Sequence, residues 1–261
     1  MTTGLYFSGT GNTKHCVEAF VRCIDANSRA FSIETQGLDR LLADATVIVF
    51  GHPTCFSNAP KMVRDFILNQ KAIFHGKEIF IIATMGLFSG DGAGCSARLL
   101  RKSGAKVIGG LHLRMPDSVG DSKLLKKTLD ENRSLVRRAD EKIHYAAERL
   151  KEGKPLQEGL NIFHQMAGLF GQRLWFYGKS LTYKDKPDID GETCIGCGRC
   201  IKNCPMKNLQ KTDGKVAHQK RCTMCYRCVN HCPVQAITIL GKKVVEQCVF
   251  EKYAIKIIEN L

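Results

Sequence analysis

Eight of the thirteen cysteines in this 261-residue chain stand in two copies of one pattern. The first is Cys194-Ile-Gly-Cys197-Gly-Arg-Cys200-Ile-Lys-Asn-Cys204-Pro205. The second is Cys222-Thr-Met-Cys225-Tyr-Arg-Cys228-Val-Asn-His-Cys232-Pro233, 28 residues later. Three thiolates at this spacing wrap a short loop around one face of an iron–sulfur cubane and leave one iron without a ligand. The fourth cysteine, before proline, lies on a turn pointing away and completes the other set. The spacing therefore calls for a fold around two [4Fe–4S] clusters. Cys194, Cys197, Cys200 and Cys232 are assigned to one, and Cys222, Cys225, Cys228 and Cys204 to the other. Zinc sites use paired C-x2-C ligands and need neither a third cysteine at the same spacing nor a Cys-Pro step. Disulfides suit small exported domains, and no signal peptide is read at Met1-Thr-Thr-Gly-Leu5.

The double run resembles that of bacterial two-cluster ferredoxins, over about residues 184–245. An apolar residue follows each Cys-Pro at matching distance, Leu209 and Ile237. Both are expected to cover a cluster and exclude water.

The formal charge is +14. Two cluster–thiolate assemblies and a phosphate would lower it but leave it positive, so acidic electron carriers or oxidoreductases are the expected partners. Nucleic acid is not expected: the Lys and Arg are scattered rather than striped, and no nucleic-acid-binding motif is present. No apolar run approaches the length of about 18 residues that spans a bilayer. The expected compartment is cytoplasmic and reducing, and the exposed clusters suggest an anaerobe.

Ahead of the cysteines, strand and helix patterns alternate, which indicates an α/β unit with a parallel sheet. Leu5–Phe7, Val47–Phe50, Ile79–Ala83 and Val107–Leu113 read as buried strands, and Ala30–Ile33 as a weaker one. Helical patterns fall near 12–25, 59–70, 92–103 and 122–151. The stretch Gly37–Asp44 is too short for a full helix, so one crossover is abbreviated.

The first strand runs into Ser8-Gly9-Thr10-Gly11-Asn12-Thr13 at the start of a helix. Glycines let the backbone curl around an anion, and helix-start N–H groups face it. Ser8, Thr10, Asn12 and Thr13 add side-chain donors. A Walker A loop would need Gly-Lys-Ser/Thr and a dinucleotide fingerprint G-x-G-x-x-G, and neither is present. This loop resembles the FMN phosphate-binding motif of flavodoxins, and the resemblance covers about residues 1–150. With the cysteine runs, the chain is similar to flavodoxin–ferredoxin fusion proteins of anaerobes. That resemblance implies an α/β, flavodoxin-like, doubly wound parallel five-stranded sheet of order 2-1-3-4-5, with FMN at the strands' carboxyl ends. A small α+β two-cluster ferredoxin domain would follow. It implies residues 1–151 for the flavin domain, 152–183 for a bridging helical segment and 184–261 for the ferredoxin-like domain with its tail.

The same resemblance places the isoalloxazine ring against two more loops. One carries Pro53, Thr54, Cys55, Phe56 and Ser57. The other carries Thr84, Met85, Gly86, Phe88 and Gly90. Phe56 and Phe88 are the aromatic candidates for its faces, although flavodoxins more often carry Trp or Tyr there. Cys55 reads as a small loop residue rather than a nucleophile, since flavin chemistry through a cysteine needs a second cysteine or a substrate adduct. His52 reads as structural. Cys16, Cys23, Cys95 and Cys248 read as small hydrophobes.

Residues 162–177 are rich in aromatic and apolar side chains. Phe163, Met166, Ala167, Phe170, Leu174 and Tyr177 form one helical face. Packing between the domains is expected over membrane-surface contact, which would want more Lys and Arg on the polar side. Residues 246–261 form a short tail expected to dock. The expected function is relay of single electrons between the clusters and FMN, linking an external low-potential carrier to a redox partner. The alternative is an FMN-dependent reductase of a small organic substrate fed through its own clusters. No catalytic residue is assigned.

Overall fold

The computed structural model describes residues 1–88, 90–161, 163, 166, 168–170, 174, 182–212 and 214–254. Five parallel strands build the sheet: β1 (Thr2–Tyr6), β2 (Ala30–Ser32), β3 (Val47–Pro53), β4 (Glu78–Met85) and β5 (Lys106–Arg114). Their order is β2-β1-β3-β4-β5. β3 and β4 are near-continuous apolar runs because both of their faces are covered. Alternate residues serve opposite cores. Ile79 and Ile81 join Leu5, Ile48 and Phe50 on one side, and Phe80 and Ile82 join Val17, Phe20 and Val49 on the other.

Helices α1 (Asn12–Ile24), α2 (Leu38–Leu41), α3 (Lys61–Asn69), α4 (Lys71–Phe74), α5 (Gly92–Lys102) and α6 (Leu129–Lys151) cover the sheet. The four-residue α2 is the abbreviated crossover expected from Gly37–Asp44. α6 corrects the sequence reading of one helix over 122–151. Lys123–Leu125 is a separate 3-10 turn, and Leu124 is 97% exposed. Thr128 then starts the helix: its hydroxyl accepts from Glu131 N (3.2 Å) while Glu131 accepts from Thr128 N (2.7 Å). This reciprocal cap satisfies two helix-start donors and stops the helix from extending backwards.

The C-terminal part is small and made of short elements: β6 (Asp188–Ile189), α7 (Arg199–Asn203), β7 (Leu209–Thr212), β8 (Lys215–His218), α8 (Arg227–Asn230) and β9 (Ile237–Thr238). β7 pairs with β8 and β6 with β9, both antiparallel. Its core gathers Leu209, Tyr226, Val229, Ile237 and Ile239.

The two parts interlock. The loop after β5 reaches into the small unit, where Asp121 accepts from Ile239 N (2.6 Å), Leu240 N (2.8 Å), Gly241 N (3.0 Å) and Tyr226 Oη (2.9 Å). In return the tail leaves the small unit. Cys248 and Tyr253 are buried in the core on one face of the five-stranded sheet with Cys16, Val17 and Phe20, and Phe250 packs beside them. Of the apolar 162–177 face, Phe163, Met166, Phe170 and Leu174 are exposed. Ala167 and Tyr177, like residues 255–261 of the tail, lie outside the described residues. Among the described residues no helix is long and apolar enough to cross a membrane.

Candidate cofactor sites

In a doubly wound sheet the strand order reverses at one point, and ligands bind outside the carboxyl ends of the strands there. Here the point lies between β1 and β3. The loop Phe7–Gly11, the turn Thr54–Asn58 and the loop Gly86–Asp91 all leave carboxyl ends at or next to it.

The first loop gathers backbone N–H groups at a helix start. Gly11 caps α1 with φ 96°, a left-handed conformation that costs glycine little. Its N–H donates to Ser8 Oγ (3.0 Å). The first helical bond of α1 runs from His15 N to Gly11 O (3.0 Å). The N–H groups of Ser8, Gly9, Thr10, Asn12 and Thr13 therefore meet no protein acceptor among the described residues. Thr10, Asn12 and Thr13 are buried. Asn12 is anchored by its donation to Pro116 O (2.8 Å), and its Oδ1 is buried without a partner. Buried donors without acceptors are costly, so a nest of them at a helix start fits a bound phosphate.

The other two loops are tied to this one. Thr13 Oγ1 and Thr84 Oγ1 share a hydrogen bond (2.7 Å), and Thr54 N donates to Thr84 O (2.8 Å). Thr54 Oγ1 is buried and unpaired. Pro53 and Met85 are the last residues of β3 and β4. Cys55 and Asn58 pair through both backbone bonds (2.9 and 3.0 Å), which makes Phe56 and Ser57 a two-residue turn. Both have positive φ (49° and 54°) although neither is glycine. Such strain clusters where a ligand or a close contact needs it. Phe56 is half-buried, whereas Phe88 is 48% exposed. Gly90 lies against Ser57 and Gly168, and Gly86 against the Asp117 carboxylate.

Burial, and then the Asp117 carboxylate, push the Cys55 thiol up to about 11, so it stays protonated at neutral pH. Burial lowers His52 to about 4. Its Nε2 meets Ser96 Oγ (2.8 Å), a structural arrangement.

The two cysteine runs adopt one backbone twice. Gly196 and Gly198 (φ 68° and 69°) correspond, 28 residues on, to Met224 and Tyr226 (φ 56° and 58°). Lys207 (φ 49°) corresponds to Gln235 (φ 54°). Asn208 N donates to Cys204 Sγ (3.2 Å) and Ala236 N to Cys232 Sγ (3.3 Å). Met224 and Tyr226 hold a conformation that costs a non-glycine residue of the order of 1 kcal/mol or more.

Cys204, Cys222, Cys225 and Cys228 line one hollow, together with Leu209. Burial first, then Cys225, Cys222 and Cys204, raise the Cys228 thiol well above its ordinary value. The Cys200 thiol is raised by burial and by Cys232 and Cys194. Each grouping joins a Cys-Pro cysteine to the run of the other copy. Among the described residues no three such donors converge on a single metal-ion point. Leu209 and Ile237 are 1% and 2% exposed.

The second run sits directly on the loop Ser8–Thr13. A Cβ on Gly9 would collide with the Cys225 carbonyl oxygen. Arg227, two residues on, donates to Ser8 O (2.8 Å) and to Asn203 O (3.3 Å). Its guanidinium also forks onto Glu34 (2.9 and 2.7 Å) and lies 5.3 Å from the Phe7 ring centroid. From the other side Phe250 N donates to Thr10 O (2.8 Å), and the Phe250 ring stacks on His15 at 4.2 Å. Sequence reasoning missed Arg227, Asp121 and Phe250.

The chain matches no curated protein. Its fold matches the two-electron reduced flavodoxin of Megasphaera elsdenii at 24% identity and TM-score 0.41, over 57% of this chain and 99% of that one. It matches an FMN-bound flavodoxin of Fusobacterium nucleatum at 17% identity and TM-score 0.41, over 58% and 97%. It also matches oxidised flavodoxin 2 of Bacillus cereus at 20% identity and TM-score 0.41, over 58% and 97%. Residues 186–233 match the family model of a 4Fe-4S dicluster domain. The chain thus carries, after a doubly wound sheet of order β2-β1-β3-β4-β5, a segment that matches the model of a 4Fe-4S dicluster domain.

Proposed function

We propose that the chain is an electron-transfer flavoprotein that relays single electrons between two [4Fe–4S] clusters and FMN, linking an external low-potential carrier to a redox partner. One observation carries this reading: the Cys222–Cys228 run packs onto the phosphate loop through the Gly9–Cys225 contact and the Arg227 bond to Ser8. When bound, the clusters supply one-electron steps and the flavin one- or two-electron steps.

The chain's own residues bind, orient and exclude water. The N–H groups of Ser8, Gly9, Thr10, Asn12 and Thr13, at the positive end of α1, hold the phosphate. Thr54, Cys55, Phe56, Ser57, Met85, Gly86, Phe88 and Gly90 frame the ring. Cys204, Cys222, Cys225 and Cys228 hold the cluster nearest this site, and Cys194, Cys197, Cys200 and Cys232 hold the other. Cys197 is exposed, so that second position is the entry for an external carrier. With a formal charge of +14, the carrier that fits the molecule as a whole is acidic. Arg227 fixes the register of the nearer run against the phosphate loop, and Asp121 fixes that of the whole small unit.

Anaerobic metal, sulfide and flavin analysis tests the cofactor set. The reading expects about eight iron, about eight sulfide and about one FMN per chain. Zinc in place of iron, or FAD in place of FMN, overturns it.

A further inference from the structure

A cavity of about 880 Å3 lies between the Cys55–Asn58 turn, the start of α3 and the second cysteine run. Lys61, Arg64, Lys184, Lys220 and Arg221 line it, and among the described lining residues none is acidic. None of Ser8–Thr13 lines it, so it is separate from the phosphate loop.

Four features mark it as built for a ligand. Five cations around one hollow repel one another unless an anion or solvent ions lie between them. Lys61 is relieved by Asp65, but Arg64 is only held in place, by donating to Ala59 O (2.7 Å). Phe56, Pro60, Met206 and Met224 supply an apolar wall. Thr223 is among the lining residues, and its Oγ1 is buried without a partner. Two lining residues that are not glycine and lie outside the repeated cysteine-run backbone, Phe56 and Lys220, have positive φ (49° and 55°). Strain of this kind gathers at ligand clamps. An apolar wall with a few convergent polar groups is the usual make-up of a small-molecule site, and the volume lies within the ordinary range.

We propose that this cavity binds a small organic anion, with an apolar body against Phe56, Met206 and Met224 and a carboxylate or phosphate group facing Arg64, Arg221 and the neighbouring lysines. Thr223 Oγ1 supplies a neutral hydrogen-bond donor to the same group. The occupant would stand beside both the second cysteine run and the flavin turn, where a reducible substrate or a redox-modulating effector of the relay would sit. The binding claim itself does not depend on the relay.

The test uses the full chain purified anaerobically with its cofactors. Cinnamate, phenyl phosphate and the neutral isostere cinnamamide are each titrated by calorimetry, and flavin fluorescence reports any displacement of the flavin. One of the two anions should bind at least about tenfold more tightly than the amide, without releasing flavin. Arg64→Gln with Arg221→Gln should lower that affinity by about tenfold or more while iron and flavin contents stay unchanged. Should the double variant lose iron, the unmodified protein still decides. Raising salt from about 0.05 to 0.5 M should weaken the anion and not the amide. A carboxylate preference over the phosphate ester, or the reverse, tells which anionic group the site takes. Equal binding of anion and amide, no anion binding at millimolar concentration, displacement of the flavin, or salt-independent binding each overturns the proposal.

Discussion

Asp121→Ala should loosen the small C-terminal unit without disturbing the sheet. The carboxylate accepts four bonds, from the backbone N–H groups of Ile239, Leu240 and Gly241 and from the Tyr226 hydroxyl, at 2.6 to 3.0 Å. Asp121 is 5% exposed, so these donors have little access to water once it is gone. A hydrogen bond to a charged group contributes about 1.5–3 kcal/mol, and a buried donor left bare costs about 1–3 kcal/mol. Four such bonds at one centre do not add, and water entering the vacated space recovers part of the loss. We expect a local destabilisation of about 3–5 kcal/mol, which corresponds to roughly 10²–10⁴-fold faster opening-limited exchange. Hydrogen–deuterium exchange on the anaerobic holoprotein reads this directly. Amides of 237–241 should exchange faster by that factor, while those of β4 keep wild-type rates. Burial raises the Asp121 pKa, but the N–H groups of Gly241, Ile239 and Leu240 and the Tyr226 hydroxyl outweigh it, and the net value lies below the ordinary one. The contribution is therefore full above about pH 4 and is lost as pH falls through the lowered value, so the difference between wild type and variant shrinks in acid. Unchanged exchange at 237–241, or equal acceleration in β4, would refute this account of the interlock.

Three further outcomes follow from the two cofactor sites. Cys204→Ala should disturb the cluster of Cys222, Cys225 and Cys228 before that of Cys194, Cys197 and Cys200, and selective loss of the latter in electron paramagnetic resonance would contradict the crossed ligation. Thr10→Ala with Thr13→Ala should weaken FMN binding by about 1–3 kcal/mol through lost bonds to a charged group, read as flavin fluorescence on titration; unchanged affinity would remove these residues from the site. Gly9→Ala should push the Cys225 carbonyl off the phosphate loop and slow electron passage between the two sites while iron content stays normal, and an unchanged rate would show that the contact does not set their spacing.

The parts that were legible in the sequence are those whose chemistry is local. The candidate phosphate loop is six consecutive residues whose helix-start geometry the structure reproduces, and each cysteine run spans eleven. The burial of Leu209 and Ile237 followed from their matching places after Cys-Pro, and the short α2 from the eight residues of Gly37–Asp44. The start of α6 was also legible, in Thr128 followed by Glu131, but the leucine spacing across 122–135 masked it. Arg227 carried no signal, because its partners Glu34 and Ser8 lie 193 and 219 residues away. Asp121 and Phe250 escaped for the same reason: they act across the join between the two units, where a one-chain pattern has no period to read. The aromatic pair expected around the ring divides unevenly, Phe56 half-buried in a strained turn and Phe88 half-exposed. A loop of this kind gives composition but not side-chain direction.

The relay is tested most directly by anaerobic rapid mixing of the oxidised holoprotein with a low-potential one-electron donor, following absorbance at flavin wavelengths. Tethering the cluster runs to the phosphate loop replaces a diffusional encounter by a fixed separation. The account predicts fast flavin reduction in the intact chain and markedly slower reduction when Cys197 and Cys225 are both replaced by Ala and FMN is still bound. Equal rates with and without the clusters would contradict it.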